Sequence, residues 1–94
     1  MKERAGSAPQ RPLEAAARLV HVPPKRIRYY IRVGLIRPVR TEGRLVYFGD
    51  AELARLRKIR RLHEDLGLNA AGVEVALRLL DEIENLRITR NSRD

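Results

Sequence analysis

The stretch Pro23-Pro24-Lys25-Arg26-Ile27-Arg28-Tyr29-Tyr30-Ile31-Arg32-Val33-Gly34-Leu35-Ile36-Arg37-Pro38 decides how the chain is read. A proline pair opens it, and a glycine followed by another proline closes it. Proline suits the first helical turn, where its missing N–H has no intrahelical partner to lose. Gly34 suits the left-handed position just past a helix end, with Leu35 and Ile36 returning to the core behind it. Between these markers Ile27, Tyr30 and Ile31 share one helical face, and Lys25, Arg28, Tyr29 and Arg32 share the other. The spacing predicts a short amphipathic helix with a cationic outer side, of a kind suited to a DNA groove.

Upstream, Leu13, Ala16, Ala17 and Val20 recur at three and four, which predicts a first helix over Pro12–Val20. Glu14 lies where the N-terminal helix dipole favours negative charge. His21 and Val22 then form a short turn. Two short helices so joined make a helix-turn-helix unit, whose second helix is the one that reads the major groove. Residues 1–11 are polar and aperiodic, and are expected to form a loose arm.

Downstream, Leu45-Val46-Tyr47-Phe48 has β character, and Thr41-Glu42-Gly43 is expected to turn the chain between two short strands. This predicts a small wing with Arg40 and Arg44 near its tip. Gly49 and Glu52 are placed as half of a capping box. Leu53, Leu56, Ile59, Leu62 and Leu66 then trace the stripe of a third helix ended by Gly67. Asn69 is a good cap for a fourth helix, with Leu68 as a staple to Val73. Along that helix Val73, Ala76, Leu80 and Ile83 follow coiled-coil spacing, widened by Leu77, Leu79 and Leu86. Its apolar residues exceed what one surface helix needs, so Val73, Ala76, Leu77, Leu80, Ile83 and Leu86 are the expected interface with a second copy of the chain.

Ninety-four residues allow one modest core, and 44% apolar content is ordinary for a globular chain. No cysteine is present, which removes disulfides and thiolate metal sites, and two separated histidines make a zinc site improbable. No apolar run reaches the length of a membrane span, and the first residues lack the apolar segment of a signal peptide, so a cytoplasmic protein is expected. The net charge is +8, and it is unevenly held. Residues 1–48 carry eleven Lys or Arg against three Asp or Glu, whereas residues 49–94 carry nine of each. A one-sided excess suits a polyanion, because each cation placed at a phosphate releases counterions. The fourth helix, with a net charge of −2 between Asn69 and Ile88, is not suited to lie on DNA. Glycine-rich phosphate loops, nucleophile–base pairs and clustered metal ligands are all missing, so neither enzymatic chemistry nor a cofactor is expected.

The succession of Ile27-Arg28-Tyr29-Tyr30, Gly34-Leu35-Ile36-Arg37-Pro38, a short wing and Phe48-Gly49-Asp50-Ala51-Glu52-Leu53-Ala54-Arg55-Leu56 resembles the MerR winged-helix regulators. The run from Leu62 to Val73 is similar to the HspR-like heat-shock repressor branch and to the CbpM-like modulators that bind a J-domain co-chaperone. The resemblance implies a mainly α, winged helix-turn-helix fold, with four helices and a small β-wing. It divides the chain into an arm (1–11), a DNA-binding domain (12–66), a coiled-coil dimerisation helix (67–88) and a frayed tail (89–94). It also implies a homodimeric repressor on a pseudo-palindromic duplex, with a DnaK-like co-repressor or a J-domain protein as a further partner. The expected DNA contacts are Lys25, Arg26, Arg28, Tyr29, Tyr30 and Arg32 on the helix, and Arg40, Arg44 and Tyr47 on the wing. Three positions depart from the family pattern: Pro23 stands where a Ser or Thr cap is usual, Ile31 replaces an acid, and Val46 precedes Tyr47 where an arginine is usual.

Overall fold

In the computed structural model, which describes residues 9–92, a short strand β1 (Arg11–Pro12) leads into helix α1 (Leu13–Val20), and a three-residue turn leads to α2 (Pro24–Arg32). Strands β2 (Arg40–Glu42) and β3 (Leu45–Phe48) form the wing. Helix α3 (Asp50–Arg60) runs into a π-helical turn at Arg61–Asp65, and α4 (Ala70–Ser92) closes the chain. This is the expected winged helix-turn-helix with a long C-terminal helix.

Both proline-led helix starts occur as the residue types require. Pro12 and Pro23 occupy the N-cap positions with extended backbone, and neither makes a side-chain cap bond. The end of α2 is a complete Schellman motif. Gly34, at φ 85°, donates to the Ile31 carbonyl, and Leu35 donates to that of Tyr30 at 2.9 Å. The end of α1 is a looser version around a non-glycine residue: His21 adopts φ 60°, and the N–H groups of His21 and Val22 both donate to the Ala17 carbonyl, the latter at 3.1 Å.

The wing differs from expectation in two ways. Glu42 pairs with Leu45, so the turn is centred on Gly43-Arg44 rather than on Thr41-Glu42-Gly43. Gly43, at φ 59°, supplies the positive angle that a tight hairpin needs at its first central residue. The sheet also has a third strand, in the order β1-β3-β2. Arg11 pairs with Phe48 and Pro12 with Tyr47, so the end of the expected loose arm is bound into the wing. Its first eight residues lie outside the described part.

Helix α3 buries Leu53, Leu56 and Ile59 against Phe48, Ile27 and Val20. Glu52 accepts from the Gly49 N–H at 2.9 Å, the half capping box that a glycine cap permits. Past Arg60 the wider π turn shifts the helical frame. Leu62 is half-buried on the core, but Leu66, expected to extend the stripe, is 68% exposed. The Leu68 carbonyl accepts from His63 Nδ1 at 2.9 Å, which places the ring proton on that nitrogen. Asn69 caps α4, its Oδ1 accepting from Gly72 N–H at 2.9 Å. The helix continues to Ser92, four residues past the expected boundary at 88.

Candidate nucleic-acid interface

Helix α2 presents the outer face that its spacing predicts. Ile27 and Tyr30 are buried, Ile31 is half-buried, and Lys25, Arg28, Tyr29 and Arg32 are exposed. The Arg32 guanidinium lies 5.4 Å from the Tyr29 ring centroid, within cation–π range, so an aromatic surface and a cation are held side by side. Arg28 Nη2 donates to Glu14 Oε2 at 3.3 Å, linking α2 to the first turn of α1.

Two residues expected at the DNA face are drawn away from it. Tyr30, which the family resemblance implies is a mixed packing and contact residue, is only 3% exposed and its ring packs in the core. Its hydroxyl has no partner in hydrogen-bonding geometry among the described residues. Burial pushes the phenol above its ordinary value of 10.0, and the Arg26 charge offsets part of that rise. Arg26 is half-buried, with Nη1 donating to Glu64 Oε2 at 2.8 Å. It ties α2 to the π turn.

On the wing, Arg40 is held from three sides. Its Nε donates to Gln10 Oε1 at 2.8 Å, its Nη1 pairs with the Glu42 carboxylate, and its guanidinium lies 3.9 Å over the Tyr47 ring. Tyr47 is correspondingly half-buried beneath it. Arg44, at the turn, is exposed. A cleft of about 270 Å³ separates the wing from the helices, with Arg28 and Ile31 on one wall and Arg44, Leu45 and Val46 on the other. Leu13 and Glu14 close its end. The fold thus brings Arg28 and Arg44, sixteen positions apart in the chain, to one opening.

The expected dimer set also divides. Val73 and Leu77 are 1% and 2% exposed and complete the domain's own core. The turn of α4 that faces the core consumes them. Ala76 is half-buried, whereas Leu80, Ile83 and Leu86 are exposed, together with Val75 and Leu79. Sequence reasoning missed Glu14, Gln10 and Arg55 as partners of this machinery. Each acts across more than a dozen residues, and no local pattern marks such a pairing.

Among the described residues no group of three His, Cys, Asp or Glu could hold a metal ion, and no helix is long and apolar enough to cross a membrane.

A buried-core helix-turn-helix with a basic outer helix and a hairpin wing defines a helix-turn-helix regulator. The chain belongs to the MerR HTH family of regulatory proteins, whose model matches residues 13–91. It is 32% identical over 75 residues to a Streptomyces coelicolor protein that carries the name heat shock protein HspR. That match covers 80% of this chain, and the chain spans about half the length of the relative.

Proposed function

We propose that the chain is a sequence-specific DNA-binding transcriptional repressor that acts as a homodimer on a pseudo-palindromic site. The observation that carries this reading is the convergence of the exposed cationic face of α2 with Arg44 of the wing around one cleft. A helix of this form fits the major groove while the wing follows the backbone. The assignment as a repressor rests on the resemblance of the run from Leu62 to Val73 to the HspR-like heat-shock repressor branch. The dimer rests on α4, where Val75, Leu79, Ile83 and Leu86 recur at four, four and three on an exposed side. A second α4 laid along that side would cover them, and two-fold symmetry would space two α2 helices along the duplex.

The test is binding to duplex DNA over a salt series. About six phosphate contacts predict a log–log slope near −5. A flat salt response without a protected footprint overturns the reading, and capture of a J-domain protein with no DNA binding replaces it by a co-chaperone role.

A further inference from the structure

Among the residues that line the cleft Glu14 is the one acid, set against the cations Arg28 and Arg44. Its carboxylate closes the end of the cleft between α2 and the wing, and its Oε2 accepts from Arg28 Nη2 at 3.3 Å. Both side chains are more than half exposed, and such pairs add little to stability. A carboxylate on a face that meets phosphates also costs affinity by repulsion. The dipole of α1 favours an acid in this first turn, but it does not require that acid to reach across to Arg28.

The geometry of the pair supplies a reason. Arg28 stands on the exposed face of α2, and the length of its side chain lets it reach either a phosphate or a base edge. Only one guanidinium nitrogen is used by Glu14, and the rest of the fork makes no further hydrogen bond among the described residues. We propose that Glu14 is a specificity-determining positioning residue. It holds the Arg28 fork within the cleft, ready for a bidentate base contact, and keeps that cation from neutralising a phosphate on non-cognate DNA. This inference rests on the DNA-binding reading above.

The test compares Glu14→Gln, which removes the charge, and Glu14→Ala, which removes the contact, with the wild-type chain. The duplexes are the tightest binder selected from a random library by the wild-type protein, and a scrambled version of it. Circular dichroism confirms that each variant is folded. The expected result is a fall of about tenfold in the ratio of selected to scrambled affinity, because one oriented base contact is lost. The log–log salt slope on scrambled DNA steepens by about 0.9, because Arg28 is released to one phosphate. In an Arg28→Ala background the Glu14 substitutions change the ratio by less than about twofold. An unchanged ratio, or equal tightening on both duplexes, overturns the role of Glu14 while leaving the DNA-binding reading intact. Wild-type protein that binds no duplex overturns that reading itself.

Discussion

Arg55 of α3 donates from Nε to the Leu35 carbonyl at 2.8 Å, fastening the loop that ends the candidate recognition helix. The same guanidinium places Nη1 3.9 Å from Asp81 Oδ2 on α4. One side chain therefore links the loop that follows α2 to α4. The planar fork makes this possible, and a lysine has no equivalent second donor group.

Arg55→Lys should therefore lower stability by about 1 kcal/mol, the worth of one hydrogen bond. It should weaken DNA binding by about tenfold, roughly 1.4 kcal/mol, through a less fixed α2. Urea unfolding and duplex titration measure the two effects. Sedimentation should show the oligomeric state unchanged.

Arg28→Ala and Arg40→Ala should differ in kind. Loss of Arg28 should cost about 1–3 kcal/mol on the preferred duplex and relax specificity at one base position. Arg40 is clasped by Gln10, Glu42 and Tyr47, so its loss should loosen the wing and weaken all sequences about equally. Competition titrations with single-base variants separate the outcomes.

Leu77 and Ile83 both belong to α4, yet one is buried in the core and the other is exposed. Leu77→Ala should lower stability by about 2–5 kcal/mol, because it empties a core position. Ile83→Glu should leave the helical circular dichroism of the protomer in place and shift sedimentation to a monomer. Retention of a dimer in Ile83→Glu would show that this side of α4 does not carry the contact.

His21 adopts a left-handed conformation that costs a non-glycine residue about 1 kcal/mol. His21→Gly should recover part of this, roughly 0.5 kcal/mol after the added entropy of the unfolded chain. The gain should appear as a higher urea midpoint with an unchanged slope.

The buried Tyr30 hydroxyl has no partner in hydrogen-bonding geometry among the described residues, so Tyr30→Phe should be neutral or stabilising by about 1 kcal/mol at pH 7. Because the folded phenol is held above 10.0, the unfolded chain loses its proton first as pH rises. Stability from this group is fully present below 10.0 and declines above it. Urea midpoints at pH 8 and above pH 10 should show a smaller decline in Tyr30→Phe than in the wild-type chain.

The placement of the helices was legible from residue types because their ends are local events. Pro24 at a helix start, Gly34 just past a helix end and Asn69 as a cap each act within one turn of backbone. The cationic face of α2 was legible for a similar reason, since a helix of nine residues has little freedom over which side it buries. Family likeness supported the same order of elements.

What each exposed or buried group does was decided only by the tertiary structure. Val73 and Leu77 read as interface residues by spacing, but the approach of α4 to α3 and the π turn buries them. Tyr30 and Arg26 lie in the same basic run as Arg28, yet the core takes one and Glu64 the other. Arg44 reaches the cleft beside Arg28 because β1 pairs with β3 and fixes the wing against the helices. Periodicity along the chain determines which residues share a face. Which face meets solvent, core or partner depends on helix crossings and strand pairings between distant segments, and these carry no mark in local sequence.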